Sequence, residues 1–386
     1  MKDYFTDLHI HIGRDWNGGP VKITGSKKLT LTSVVEEASH SKGLDIVGVI
    51  DAQSPAVQDE IQSHLMNGQA VELQDGGIQY KHTVLILGAE IEVYDASCSG
   101  PVHLLCYFPY LRDMVRFSSW LSNKMKNISL SSQRFYGTAR ELQSYVREHG
   151  GLFIPAHIFT PFKSLYGRGV RTSLIEVLDS TAIDAVELGL SADTEMASHI
   201  YELQPYTYVT NSDAHSTANM AREYQTIQME TPSFEELRLA LHNLRGRKVK
   251  ANYGMNPRMG KYFQTVCAAC LQQQSAGQES RCPSCGKGKW VKGVSDRIRE
   301  LSDKRQERER PPYIPQVPLH TLPGIGPKTY QKLIEAFQNE MNIIHHTAEQ
   351  DLGGILPEST IQKIMDMRQG RLSITKGGGG KYGRIR

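Results

Sequence analysis

The 386-residue chain carries 44 Lys and Arg against 41 Asp and Glu, which gives a formal net charge of +3. This length predicts two or three domains, and the near-neutral balance excludes an overall cationic field as the means of binding nucleic acid. The first residues lack the apolar core of a signal peptide, and no uninterrupted apolar run approaches the ~20 residues of a membrane span. We therefore expect a cytoplasmic protein with no membrane partner.

The first predicted strand, around residues 4–8, leads into the sequence Asp7-Leu8-His9-Ile10-His11. Residues two apart lie on the same face of a strand, so His9 and His11 can reach one metal ion from the end of that strand. On a helix the same two side chains would point to different faces. An isolated pair with this spacing is more often an ordinary feature of a half-exposed strand, so its meaning depends on the later strands.

Residue types that bind metals accompany several later apolar segments. The predicted strands cover residues 44–50, 83–87, 102–107, 151–156, 184–186 and 206–212. The residues at or just beyond their ends are Asp51, Glu90, His157, Glu187, Asp213 and His215, whereas His103 lies near the start of its strand. Because the carboxyl ends of parallel strands meet at one rim of a β/α barrel, the pattern predicts an α/β fold with a site at that rim. Glu187 could instead be a simple rim charge.

The chemistry of these residues is that of a phosphate-ester hydrolase. Such an enzyme must neutralise phosphoryl oxygens and activate water near neutral pH, and two or three clustered divalent metal ions can do both. Imidazoles suit Zn²⁺ or Mn²⁺, and carboxylates bridge neighbouring ions. Several histidines together with Asp51, Glu90 and Asp213 are too many ligands for one ion. The sequence offers no Ser-His-Asp ordering and no activated cysteine as a competing mechanism.

Together these motifs resemble the PHP (polymerase and histidinol phosphatase) superfamily. The resemblance implies a distorted seven-stranded β/α barrel, (β/α)7, with a multinuclear site for two or three Zn, Mn or Mg ions. The residues that match metal-binding motif positions are His9, His11, Glu90, His103, His157, Asp213 and His215. Of these, His9, His11, Glu90 and Asp213 are expected to form the catalytic centre, with Glu90 as the bridging carboxylate and Asp213 as the indispensable residue.

One position departs from the superfamily pattern. Many members have Asp-His where this chain has Asp51-Ala52, so one ligand of the usual trinuclear set is missing. Asp51 itself is therefore a further expected metal ligand, and Asp15 and His40 are alternatives. His40 lies toward the end of a predicted helix, which favours a structural role.

A second metal site is predicted from the cysteines. The four ligands are Cys267, Cys270, Cys282 and Cys285, arranged as two CxxC pairs on either side of an eleven-residue loop. Four thiolates at this spacing form a closed, structural zinc site. A redox motif would need a single CxxC in a βαβ context. Cations interleaved with Trp290 make a neighbouring surface suited to a nucleic-acid backbone.

The remaining residues predict a linker and a helical module. The charged stretch 295–310 favours a solvated helix over one that contacts DNA, and the prolines after it form a stiff extended linker. The sequence Leu322-Pro323-Gly324-Ile325-Gly326-Pro327-Lys328 then opens a helix. Gly324, Gly326 and Lys328 are expected to bind DNA phosphates, as in a helix-hairpin-helix motif. A degenerate second copy follows at 352–356, and residues 375–386 are expected to form a flexible basic tail.

The order of these parts resembles the endonuclease Q family of DNA-repair nucleases. The expected domains are a PHP barrel (1–255), a zinc ribbon (256–295), a linker (296–318) and a DNA-binding module (319–386). The resemblance implies cleavage of the phosphodiester on the 5′ side of deoxyuridine, deoxyinosine or an abasic site by metal-activated water. DNA carrying deaminated bases or abasic sites is then the partner, and the protein would be nucleoid-associated. A sliding clamp is a possible further partner without support from any motif.

Two other functions stay open from the sequence. A small-molecule phosphoesterase of the histidinol-phosphatase kind would leave the zinc ribbon and the helical module without a purpose. A non-catalytic DNA-binding protein with a degenerate barrel would be expected to lack several ligands, whereas only one familiar position is missing here.

Overall fold

The computed structural model describes residues 1–274, 280–303 and 309–385. The strands are β1 (Lys2–Ile10), β2 (Ile46–Val49), β3 (Val71–Glu72), β4 (Ile78–Tyr80), β5 (Thr83–Val93), β6 (Val102–Phe108), β7 (Arg134–Phe135), β8 (Leu152–Pro155), β9 (Ala185–Glu187), β10 (Thr207–Val209), β11 (Tyr224–Met229), β12 (Lys248–Gly254), β13 (Val266–Cys267), β14 (Trp290–Val291), β15 (Tyr313–Pro315), β16 (Ile374–Thr375) and β17 (Arg384–Ile385).

Helices alternate with the strands through the first part of the chain and dominate the last part. The α-helices are α1 (Leu31–Glu37), α2 (Pro55–Met66), α3 (Leu111–Ser122), α4 (Ala139–Glu148), α5 (Thr194–Ser198), α6 (Phe234–Leu241), α7 (Val294–Leu301), α8 (Pro327–Phe337), α9 (Glu340–His345), α10 (Glu349–Leu352) and α11 (Glu358–Arg368). Short π-helical turns cover Ala38–Lys42 and Leu165–Gly169. Among the described residues, no helix is both long and apolar enough to cross a membrane.

Seven strands form a ring in the order β1, β2, β5, β6, β8, β9 and β10. β1, β2 and β5 pair in parallel, and so do β9 and β10. β8 meets β9 through the amide of Asp184, which donates to the carbonyl of Phe153 (3.0 Å). The ring closes where Ala214 exchanges backbone hydrogen bonds with His9 (3.1 Å) and His11 (3.0 Å). The predicted α/β fold with a distorted barrel is confirmed.

The direction of β6 explains the unusual place of His103 in the sequence. β6 runs antiparallel to both of its neighbours, β5 and β8. The start of an antiparallel strand lies at the same rim as the ends of its parallel neighbours. His103 is the second residue of β6 and therefore lies at that rim. β5 is also longer than predicted, and Glu90 lies inside this strand rather than beyond its end.

The helical module packs directly on the barrel. Lys42 and Glu340 form a buried ion pair with 2.6 Å between Nζ and Oε2, and each side chain is 1% exposed. The ring of His345 stacks on Phe5 with 4.7 Å between centroids, and its Nε2 lies 2.6 Å from the hydroxyl of Tyr224. Because a buried charge is stable only beside its partner, these contacts fix the position of the module.

The expected linker is part of the sheet over a short stretch. β15 adds to the edge of the barrel sheet by pairing in parallel with β12. The solvated helix expected at 295–310 is present as α7, which ends at Leu301. Residues 304–308 lie outside the described residues. α7 is anchored rather than free, because Ile298 is buried and the guanidinium of Arg297 donates to the carbonyl of Tyr166 (2.8 Å).

The C-terminal residues form an ordered hairpin, so the expectation of a flexible tail is wrong for residues 375–385. β16 pairs antiparallel with β17, and the glycines between them make the tight turn. The amides of Gly377 and Gly383 donate to the carbonyls of Arg258 and Met259, each at 2.8 Å. Backbone hydrogen bonds thus hold the hairpin against the segment that leads into the zinc ribbon. Arg386 and the ribbon-loop residues 275–279 lie outside the described residues.

Candidate active site and zinc centre

His9 in β1 and His11 just after its end lie at the rim of the barrel. Their rings lie 5.4 Å apart, and both side chains are fully buried. Neither Nε2 atom has a hydrogen-bond partner among the described residues. Asp213 Oδ1 lies 3.5 Å from Nε2 of His9 and 3.4 Å from Nε2 of His11. Buried imidazole nitrogens without a donor partner, facing a carboxylate, are the arrangement that a divalent metal ion completes.

Three overlapping groups of ligand atoms lie within 4.8 Å of one another in each group. The groups are His9, His11 and Glu90; His11, Asp213 and His215; and Glu90, His103 and His157. His11 and Glu90 each belong to two groups, which suits a cluster of ions that share ligands. The structure therefore brings together every metal ligand expected from the sequence except Asp51.

The charges at the site are unbalanced in a way that fits bound cations. Burial opposes a charge on His9, but the carboxylates of Glu187 and Asp213 outweigh it and raise the pKa of His9 to about 10. Burial likewise opposes ionisation of Glu90, yet His103 and Lys22 hold its pKa well below the usual range. The buried carboxylates thus draw positive charge, and divalent ions would supply it. The donor set fits such ions.

Asp51 lies behind His11 instead of facing the cluster, which differs from the expected ligand role. Its Oδ2 accepts a hydrogen bond from the amide of Ile12 (2.7 Å) and lies 3.1 Å from Nδ1 of His11. Glu187 has the same relation to His9, with 2.9 Å between Oε2 and Nδ1. Carboxylates in this position fix the tautomer and orientation of an imidazole, so that Nε2 is left for the metal.

The two alternative ligands proposed from the sequence also lie away from the cluster. Asp15 accepts hydrogen bonds from the amides of Asn17 (2.9 Å) and Gly19 (2.8 Å) within its own loop. His40 is exposed on the π-helical turn after α1. Neither residue replaces the missing ligand next to Asp51.

Backbone conformation helps to aim two of the ligands. His157 and Asp213 have positive φ angles of 30° and 45°, a region that non-glycine residues rarely adopt. The loop that carries Asp213 is held by Asp7, which accepts hydrogen bonds from the amides of Ser212 (3.1 Å) and Ala221 (3.0 Å). Asp7 is thus a support for the site and not one of its ligands.

A cavity of about 520 Å³ opens above the cluster. Its floor includes Glu90, Asp213 and His215. Lys22 reaches into it, with Nζ 3.3 Å from Oε2 of Glu90 and 2.6 Å from the hydroxyl of Ser132, which also donates to Glu90. Neither Lys22 nor Ser132 is predictable from the sequence, because both lie in loops, where no periodic pattern marks a residue as facing a site.

The four cysteines converge as the zinc ribbon requires. Their Sγ atoms all lie within 4.8 Å of one another, with 3.5 Å between Cys267 and Cys285 and 3.4 Å between Cys270 and Cys282. Backbone N–H groups, first that of Cys270 and then that of Ala269, lower the pKa of Cys267 to about 6. Four thiolates at the corners of a tetrahedron are the donor set of a structural zinc ion.

Replacing Cys282 with serine should remove one zinc ion per chain and lower the thermal unfolding temperature, because a closed four-thiolate site contributes its binding free energy to folding. Zinc analysis and calorimetry measure both effects. Cys98→Ser is the matched control, since Cys98 lies outside the cluster. An unchanged zinc content in Cys282→Ser would contradict the assignment.

The residues expected to bind DNA are exposed at the start of α8, where Gly324 and Gly326 precede the helix and Lys328 is its second residue. Gly324 has a φ of 103°, and a Cβ built there would lie 2.2 Å from the hydroxyl of Thr360 in α11. Gly326 is the N-cap of α8, and a Cβ there would meet no described atom within 4 Å. Gly324 is therefore needed for the close packing of this turn against α11, whereas Gly326 and Lys328 are open to a ligand.

Comparison with known proteins extends over the whole chain. No family model matches it. It is 52% identical over 387 aligned positions to the uncharacterized protein YqxK of Bacillus subtilis, and the match covers 100% of both chains. The crystal structure of the lesion-specific endonuclease PfuEndoQ from Pyrococcus furiosus matches with a TM-score of 0.85 and 32% identity, over 100% of this chain and 95% of that one. A complex of endonuclease Q with a 27-mer duplex substrate that has an abasic lesion at the active site matches with a TM-score of 0.84 and 31% identity, over 100% and 96%.

The ring of strands and its rim of imidazoles and carboxylates fit the barrel and the metal-binding pattern expected of the PHP superfamily. The likeness to PfuEndoQ includes the zinc ribbon and the helical module as well as the barrel, since it covers 100% of this chain. The chain belongs to the endonuclease Q family.

Proposed function

We propose that this protein is a damage-specific DNA endonuclease that depends on divalent metal ions. The observation that carries the proposal is the full-length likeness to a lesion-specific endonuclease, combined with overlapping ligand groups beneath an open cavity. The related complex with an abasic-site duplex supports DNA as the substrate.

Each residue of the site has a role in this proposal. The residues that would hold the ions are His9, His11, Glu90, His103, His157, Asp213 and His215. When bound, divalent ions activate water and neutralise charge on the phosphoryl oxygens. Glu90 serves two ligand groups at once, while Asp51 and Glu187 orient the imidazoles of His11 and His9. Lys22 places a fixed cation at the wall of the cavity, where it can contact a phosphate.

The proposed reaction is hydrolysis of the phosphodiester on the 5′ side of the damaged nucleotide, which leaves a 3′-hydroxyl and a 5′-phosphate. Deoxyuridine, deoxyinosine and abasic sites are the proposed lesions, because the resemblance to the family implies them. A cavity of about 520 Å³ falls in the range of about 300–1,000 Å³ that suits a small ligand, so it has room for one extruded nucleotide.

A panel of labelled duplexes tests the proposal. The duplexes carry a single deoxyuridine, a deoxyinosine, an abasic site or no lesion, and each is incubated with the protein and Mg²⁺, Mn²⁺ or Zn²⁺. We expect one incision on the 5′ side of the lesion and none in the undamaged duplex. Turnover of a phosphomonoester without incision of any lesion would identify a small-molecule phosphoesterase instead.

We further propose that the turn before α8 binds DNA phosphates without reading sequence. Gly326→Ala combined with Lys328→Ala should weaken binding to all duplexes alike and reduce the slope of log Kd against log salt by about one, since the pair removes one phosphate contact. The added methyl group at Gly326 lies in open space, so the fold is retained. Fluorescence anisotropy at several salt concentrations measures the slope.

Lys248→Ala is the control for this turn, because it removes an exposed cation at the end of the barrel opposite the candidate site. Gly324→Ala is unsuitable, since the strain at φ 103° and the contact with Thr360 would disturb the fold. A salt slope that is equal in the double variant and in the unaltered protein would remove this turn from the DNA interface.

A further inference from the structure

Two large apolar side chains from different loops stand exposed at the lining of the cavity. Ile23 is 68% exposed, and Phe162 is 47% exposed. Both line the cavity that has Glu90 and Asp213 on its floor. Single exposed apolar side chains are common on protein surfaces, but two at the mouth of one site mark it as a surface for contact.

Ile23 is held in this exposed position by an ordered loop. The amide of Lys22 donates to the carbonyl of Ile12 (2.8 Å), and that of Gly25 donates to the carbonyl of Lys22 (2.9 Å). One residue further, the amide of Ser26 donates to the carbonyl of His215 (2.8 Å). Ile23 therefore lies at the tip of a turn that is fastened on both sides, next to the candidate metal ligands.

A cation of the cavity lining adjoins each apolar side chain. Lys22 precedes Ile23, and Lys163 follows Phe162 and pairs with Glu92 (2.8 Å). An apolar tip between cations is the pattern of a side chain that enters a base stack while its neighbours contact phosphates. The cavity beside Ile23 leads to a site suited to phosphate esters. A DNA strand uses both features, whereas a protein partner or a membrane would use only the apolar side chain.

We infer that Ile23 enters the DNA base stack where the damaged nucleotide leaves it, with Phe162 contacting the extruded nucleotide inside the cavity. This inference rests on the proposed function. A nucleotide that moves into the cavity leaves a gap in the duplex, and unstacking costs a few kcal/mol. An inserted isoleucine offsets that cost by keeping the neighbouring bases in apolar contact. The same residue brings no advantage on single-stranded DNA, where the gap does not form.

Ile23→Ala separates these two situations. We expect the variant to incise a deoxyinosine duplex about 10- to 100-fold more slowly, while incision of the same lesion in single-stranded DNA changes by less than about 2-fold. Ile23→Leu, which keeps the apolar bulk, should retain most of the duplex activity. Ile175→Ala is the matched control, because Ile175 is 57% exposed but lines a different cavity.

A binding measurement provides a readout that does not need turnover. In an Asp213→Asn background, which slows incision, 2-aminopurine placed beside the lesion should brighten on binding of the protein, because its neighbour leaves the stack, and adding Ile23→Ala should reduce the increase by at least about 2-fold. Equal losses on duplex and single-stranded DNA, or no loss on either, would overturn the inference while leaving the proposed function intact. Absence of incision by the unaltered protein on any lesion would overturn the proposed function itself.

Discussion

Replacing Asp213 with asparagine should reduce incision of an abasic-site duplex by at least about 1,000-fold, because the change removes the charge of a group that faces two buried imidazoles. Burial disfavours the ionised form of Asp213, but His9 and His11 outweigh it and hold the pKa of this carboxyl far below its usual range. The carboxylate is therefore ionised at any working pH, and an amide at the same place offers weaker binding to a divalent ion. Single-turnover incision measures the effect.

Asparagine is the right substitution for the backbone as well. Asp213 has a φ of 45°, a conformation that asparagine tolerates better than alanine does, so the loop should keep its shape. Asp3→Asn is the control, because Asp3 is exposed near the other end of β1 and pairs only with Lys250 among the described residues. An Asp213→Asn variant that incises at the rate of the unaltered protein would contradict the assignment of the site.

The main parts of the candidate site could be predicted because strand periodicity and local motifs determine them. His9 and His11 had to share a face once they lay on a strand, and Asp213 and His215 followed a strand that had to end at the same rim. The cysteine spacing likewise fixed the ribbon. His103 was harder to place, because only the antiparallel direction of β6 brings the start of that strand to the rim.

The roles of other residues depend on tertiary geometry that no local pattern encodes. Asp51 was expected to face the metals, yet the amide of Ile12 draws its carboxylate to the far side of His11. The glycine-rich end of the chain has the composition of a flexible tail, but the carbonyls of Arg258 and Met259 accept its amides and order it. In both places a backbone group distant in sequence decides the outcome.

No motif in the sequence indicates a role for Lys22. We nevertheless expect its charge to matter for turnover. We expect Lys22→Met to lower kcat by about 100-fold, the size of effect seen when one group that stabilises transition-state charge is removed. Methionine keeps a linear side chain one atom shorter than lysine, and it removes the charge together with the hydrogen bond to Ser132. The side chain of Lys22 is only 14% exposed, and its ammonium lies beside Glu90, where a phosphate bound above the cluster would contact it.

Three measurements separate a role in turnover from a structural one. If Lys22 acts on the substrate, Lys22→Met lowers kcat far more than it raises KM, and Lys22→Arg recovers part of the rate because the charge is restored. Lys27→Met removes an exposed cation from the same loop and should alter KM more than kcat. If Lys22 only balances the charge of Glu90, the metal content of Lys22→Met will change, and saturating metal will restore its rate. Asp51 is followed by Ala52 and not by the histidine expected from the resemblance. The fixed charge of Lys22 can therefore add to the positive charge of the ions that the remaining ligands would hold.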